Sequence, residues 1–409
     1  MVEISTVTNY ITPKEPCLLG GYSMRTKLSE GVLDELKCTA AVLKIDGEAV
    51  VFCDLEVLML TKKTFDEIKT SVSDKFGVNR DFITISTIHT HAAPDMRFFD
   101  AGANNPYSDK YIALVTEKAI ETISECFQKG FCEVEASYFT VNIDGFYGNR
   151  NGIGKPEDKS VSVIRFCDKN EEVKAAMFNI SCHPTVLGAE NLFVSGDLLG
   201  YLSRKIEQKL GVFPVMLQGA AGDMSNRNYR KGHDAAELER TGEGIFSQIF
   251  VDEKYIKLNL SKPRADKYDY HTEYDLNVPE WEALRDKTKK QMEEATEYDQ
   301  RKILLSGYTA INIKLKNPHI VVDFNTAILR LGDIEICKVP GEMFSRFGKQ
   351  IKASSKAKLP LIWGYADGYA GYMPDEGEYG KTYESMLTPL PKGATEYITG
   401  KLCELIAKN

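Results

Sequence analysis

Three turn signals, each set between apolar runs, constrain this chain more than any other feature. Residues 40–45 and 48–53 flank Asp46-Gly47, a second pair of runs flanks Asp168-Lys169-Asn170, and residues 327–331 and 334–337 flank Gly332-Asp333. Such pairs predict β-hairpins, because the turn residues tolerate the backbone a tight reversal needs. Helical stripes alternate with them. Phe65, Ile68, Val72 and Phe76 recur at spacings of three and four before Gly77. Val115, Ala119, Ile123 and Phe127 follow Ser108, expected as a helix cap, and Leu199, Leu202, Ile206 and Leu210 end at Gly211. Hairpins mixed with helices predict an α/β to α+β fold, with mixed β-sheets covered by helices.

No internal repeat or flexible linker divides the chain, so residues 1–409 are expected to form one large domain. Residues 251–317 are markedly charged and predict a peripheral helical insertion, with a helix over 280–304. Lys and Arg number 51 against 59 Asp and Glu, a net charge of -8 without a basic block, which excludes the footprint of a nucleic-acid binder. No apolar run approaches the ~20 residues of a spanning helix, so no stable membrane insertion is expected. The amino terminus shows no secretory pattern and the nine cysteines form no CxxC pair. A cytoplasmic location is expected.

The six histidines carry most of the chemical information. His89 and His91 close a strand-like run beginning at Phe82, and residues two apart on a strand share a face. Both rings are therefore expected to point one way at the strand's end. His183 closes another such run, before Pro184. Imidazoles delivered at strand ends suit a divalent metal, which in hydrolases takes three protein ligands and leaves room for water. The turn Gly219-Ala-Ala-Gly222-Asp223 lacks the residues of a phosphate loop, and no Gly-x-Ser-x-Gly elbow occurs.

Seven segments in order resemble the neutral ceramidase family of zinc-dependent amidases. They are Gly20-Gly-Tyr-Ser-Met-Arg25, His89-Thr-His91 with Pro94, Asn149-Arg150, His183-Pro-Thr185 with Ser195-Gly-Asp197, Gly222-Asp-Met-Ser225, Pro340-Gly-Glu342, and Gly364-Tyr-Ala-Asp-Gly-Tyr-Ala-Gly-Tyr372. The resemblance implies one zinc ion held by His89, His183, Glu342 and Tyr372. It further implies that His91 transfers protons, Arg150 contacts substrate and Tyr383 steadies the oxyanion. The expected substrate is an acylated small molecule, glycan or lipid-like compound, cleaved at an amide.

Two departures stand out. The export signal and C-terminal β-sandwich of secreted ceramidases find no counterpart, and Asp95 replaces a glycine, which predicts a cleft mouth unfavourable to anions. A metal-dependent esterase or carbohydrate-active hydrolase, or a catalytically silent ligand-binding protein, would share these features. The oligomeric state leaves no mark in the sequence.

Overall fold

The computed structural model describes residues 1–96 and 106–408. Three mixed sheets carry the fold, and each is built on the same four-strand plan. In the first, Val2–Tyr10 pairs antiparallel with Lys37–Ile45, which pairs antiparallel with Glu48–Leu55. The helix Lys62–Phe76 then returns the chain so that Ile83–Thr87 lies parallel to Glu48–Leu55. The second sheet repeats this with Glu135–Asn142, Ser160–Cys167, Val173–Ile180, the helix Asp197–Leu210 and Pro214–Gln218. The third repeats it with Arg264–Asp275, His319–Leu331, Ile334–Val339, the helix Ser345–Ser354 and Leu359–Gly364.

The sequence shows no internal repeat, yet the structure has three. The repeat lies in strand order and direction, which unlike side chains can support provided the buried faces stay apolar. The three predicted hairpins are its second and third strands, with Ile45 opposite Glu48, Cys167 opposite Val173, and Leu331 opposite Ile334. The caps follow local rules: Gly77 and Gly211 end their helices in the left-handed region at φ 68° and 78°. Ser108 instead lies within the helix Pro106–Lys129, where its hydroxyl donates to the Asp95 carbonyl at 2.7 Å and ties the helix to the turn after His91.

Buried polar groups join the sheets. The Asn179 amide donates to the carbonyls of Leu217 and Ile362, at 2.8 and 3.0 Å, and Asp54 accepts from the Met216 amide at 3.0 Å. Asp367 accepts from the Ile85 amide at 3.0 Å and from the ammonium groups of Lys69 and Lys338 at 2.7 and 2.9 Å. Leaving such groups unpaired would cost about 1–3 kcal/mol each, so they fix how the sheets dock.

The predicted helix over 280–304 is two helices, Val278–Glu294 and Tyr298–Lys316, with the break at Ala295 in extended backbone. The same charged stretch supplies Ile256–Leu258, an edge strand of the second sheet, and Arg264–Asp275 of the third. The helical pair is the connection between the first two strands of the third unit. The equivalent connections in the other units hold Gly20–Arg25 and Arg150. Among the described residues no helix is long and apolar enough to cross a membrane.

Candidate functional site

The repeat explains how distant residues meet. The third strands of the three units end at Leu55, Ile180 and Val339, and three residues beyond stand Leu58, His183 and Glu342. His89 follows the fourth strand of the first unit, which ends at Thr87. His91 therefore lies beyond the strand rather than on it. His89 adopts the left-handed conformation, φ 66°, which is uncommon away from glycine. Its amide donates to the Val57 carbonyl at 3.0 Å and its ring Nδ1 lies 2.8 Å from the Leu58 carbonyl oxygen, which together hold the turn. The turn brings the His89 and His91 ring centres within 5.0 Å, and His89 and His183 within 5.0 Å.

The buried imidazole nitrogens of His89, His91 and His183 include one from each ring that all lie within 4.8 Å of one another, a grouping able to hold a metal ion. Glu342 completes the cluster. One carboxylate oxygen is 3.0 Å from His183 Nε2 and 3.5 Å from His89 Nε2. The Tyr365 hydroxyl donates to that oxygen at 3.3 Å, and the Tyr369 hydroxyl to the other.

This arrangement has a shortage of protons. His183 Nδ1 lies 2.7 Å from the Ala221 carbonyl oxygen and His89 Nδ1 faces the Leu58 carbonyl, and both oxygens can only accept. A neutral imidazole carries one N–H, so with the proton on Nδ1 each Nε2 turns a lone pair toward Glu342. Protonating both nitrogens would relieve the conflict, but burial, followed by Arg150, pushes His183 down to about 4. Burial likewise lowers His89. Burial opposes ionisation of Glu342, and the His89 and His183 rings when protonated, with the Tyr369 hydroxyl, outweigh it and lower the carboxyl to about 2. Near neutral pH the centre therefore presents two neutral imidazole lone pairs and a carboxylate to one another, all buried. A cation resolves what no proton on the chain resolves, and ring Nδ1 held by a carbonyl is the usual support of a metal-binding histidine.

The remaining expected residues surround this centre. The Tyr372 hydroxyl is 3.5 Å from His183 Nε2 and 3.0 Å from the Tyr383 hydroxyl, and it accepts from Arg150 Nη2 at 3.1 Å. Arg150 also donates to the Gly222 carbonyl at 2.8 Å and from Nε to Glu384 at 2.9 Å. Burial pushes the Tyr383 phenol up to about 12, so it stays a donor across the ordinary pH range. Both ring nitrogens of His91 are buried with no hydrogen-bond partner among the described residues. Burial, then its two neighbouring histidines, hold His91 well below its ordinary value.

Several contributors lie in the motif segments without a role assigned from the sequence. Arg25 donates to the carbonyls of Gly20, His91, Gly188 and Ala189, pinning the histidine turn. Asp223 accepts from the Ser345 amide at 2.7 Å and from the Asn149 side chain at 2.7 Å, joining the Glu342 and Arg150 loops. Two glycines are required by close approach. A Cβ on Gly222 would stand 2.3 Å from the Glu342 carbonyl oxygen, and one on Gly21, at φ 89°, would stand 2.4 Å from the His91 ring. Tyr365 and Tyr369 lie in the last quoted motif, but their hold on Glu342 appears only in three dimensions.

The cleft over this centre is lined by the three inter-strand connections: Gly21 and Tyr22, Arg150, and the Lys302–Ser306 face of the second helix of the pair. An inner cavity of about 40 Å³ contains His91, Arg150 and Tyr383, and an outer one of about 470 Å³ continues past Ile153 and Ile303. Asp95 does not shape this mouth. It is buried, 4% exposed, against Gly20, so the expected acidic rim is absent from the described lining residues.

No protein-family model matches the chain. Its fold is similar to that of neutral ceramidase from Pseudomonas aeruginosa, with a TM-score of 0.74 over 100% of this chain and 74% of that one, at 17% identity. A structure of a ceramidase complexed with C2 is similar at a TM-score of 0.73, covering 99% of this chain and 75% of that one at 16% identity. The likeness establishes the fold, which is the one the sequence motifs imply.

Proposed function

We propose that the protein is a zinc-dependent hydrolase that cleaves the amide bond of an N-acylated substrate, with residues 1–409 acting as one catalytic unit. The observation that carries this reading is the buried triad of His89 Nε2, His183 Nε2 and the Glu342 carboxylate, which face one another without a proton to share. The donor set fits a single zinc ion, with Tyr372 as fourth ligand and His91 adjoining. Bound there, the metal supplies Lewis-acid polarisation of the carbonyl and acidifies water.

The chain's own groups would do the rest. Tyr383, a phenol at neutral pH, donates a hydrogen bond to the oxygen that gains charge as water adds to the carbonyl carbon. Arg150 holds the Tyr372 oxygen in place and adds positive charge beside it, itself fixed by Glu384. His91, neutral and unpartnered, accepts the proton that water releases and passes it to the departing nitrogen as the C–N bond breaks. A carboxylic acid and an amine result. All nine cysteines are free, consistent with the reducing cytoplasm we propose as its location.

The test is hydrolysis of matched N-acyl and O-acyl compounds by zinc-loaded protein and by H183A. Amide cleavage lost in the variant supports the reading. Cleavage that persists in H183A, or that no amide undergoes, overturns it.

A further inference from the structure

The cleft above the histidines is cationic, although the chain as a whole carries a net charge of -8. Arg150, Arg227, Arg230 and Lys302 all line the inner cavity beside His91 and Tyr383. Arg150 is neutralised by Glu384. Arg230 and Lys302 share one carboxylate, Asp299, with Lys302 Nζ at 3.0 Å. No hydroxyl, carbonyl or carboxylate among the described residues accepts a hydrogen bond from the Arg227 guanidinium. These four cations thus share two ion-pair partners, Glu384 and Asp299, and Arg227 has none of its own among the described residues.

The surroundings sharpen the imbalance. Burial, and then repulsion from Arg150, lower the Arg227 guanidinium below its ordinary value. Burial also lowers Lys302 despite Asp299. Like charges gathered in a partly buried cleft are unfavourable on their own, and the same field attracts an anion. Thr185 and Ser225, also in the lining, add hydroxyl groups able to hydrogen-bond one. The space suits a compact group, because the inner cavity is narrow, at about 40 Å³.

We propose that the cleft selects substrates carrying a compact anionic group, a carboxylate or a phosphate, within a few bonds of the scissile amide, bound by Arg227, Arg230 and Lys302. The proposal rests on the amidase reading for the position of the amide, while the anion site stands on the cleft alone. The remainder of the substrate lies in the outer cavity, whose lining mixes Ile153 and Ile303 with Arg227, Lys381 and Glu384.

The experiment compares N-decanoylglycine, N-decanoyl-O-phosphoethanolamine, neutral N-decanoylethanolamine and a cationic N-decanoyl diamine on zinc-loaded wild type, R227Q and K302M. Hydrolysis gives kcat/KM, and ligand-dependent thermal protection gives binding without turnover. Wild type is expected to favour one anionic amide over the neutral one by at least ~10-fold, the scale of a charge-assisted hydrogen bond. That ratio should shrink in either variant and at raised salt. The carboxylate and phosphate arms then identify the anion. Equal or better hydrolysis of the neutral or cationic amide would overturn the anion proposal while leaving the amidase reading intact. Selective protection by an anionic amide with no turnover of any would sustain the anion site and remove the amidase reading. Absence of both turnover and selective protection would overturn both.

Discussion

Replacing Glu342 with glutamine should strengthen the metal-free protein while destroying its metal site. The shape of the side chain is retained, and its carbonyl oxygen can still accept from Tyr369, while Tyr365 gives up its 3.3 Å bond to the position the amide nitrogen takes. The new amide also brings N–H donors to a position 3.0 Å from His183 Nε2, where the wild type opposes a lone pair with a carboxylate. Satisfying a buried acceptor and removing a buried charge are together worth about 1–3 kcal/mol. A chain of 409 residues unfolds with an entropy near ~0.9 kcal/mol per degree, so the apoprotein should melt about 1–3 °C higher. Zinc at a hundred times its Kd should add about 2.7 kcal/mol to wild type, or about 3 °C, and almost nothing to the variant. Melting curves in chelator and in excess zinc measure both shifts. A variant less stable than wild type in chelator, yet still raised by zinc, would refute the proton-shortage reasoning.

Other predictions follow from the same geometry. Y383F removes one hydroxyl and leaves the Tyr372 oxygen its Arg150 donor, so kcat should fall about 10²–10³-fold with KM nearly unchanged and melting little altered. R150M strands the buried Glu384 carboxylate and should cost about 3–5 kcal/mol in denaturant unfolding, with R150M/E384M recovering a large part. On acidification the apoprotein should lose stability in two stages. His183 sits at about 4 folded against 6.5 as its ordinary value, so the unfolded chain takes up that proton first and stability falls from about pH 6.5 toward 4. Below that, the protonated rings hold Glu342 ionised, at about 2 folded against 4.5, so its contribution appears only there and is lost toward pH 2; E342Q should lack this second stage, and its gain over wild type at neutral pH should reverse. Unfolding free energy measured against pH checks both.

What the sequence disclosed was local. Asp46-Gly47 and Gly332-Asp333 specify their hairpins because a tight reversal admits few residues, and Gly77 and Gly211 mark helix ends for the same reason. The three-sheet repeat was hidden, because equivalent positions hold Leu58, His183 and Glu342, which share a place in the backbone and nothing chemical. His89 and His91 stand out in the sequence as a pair because residues two apart on a strand share a face. A left-handed residue after the strand brings them together instead, and its stability depends on carbonyls of another segment. Asp95 misled because a carboxylate in a loop suggests solvent, whereas this one is turned inward beside Gly20. The cationic lining comes from Arg227, Arg230 and Lys302, and Lys302 belongs to a charged helix that in one dimension looks peripheral.

The central claim is that a single metal ion sits where the imidazole lone pairs and the carboxylate converge. Crystals of zinc-loaded protein, measured on both sides of the zinc absorption edge, test it most directly. The account predicts one anomalous peak about 2.0–2.2 Å from His89 Nε2, His183 Nε2 and a Glu342 oxygen, with both Nδ1 atoms still on their carbonyls. A protein that takes up no zinc, or a peak that lies away from Glu342, would contradict it.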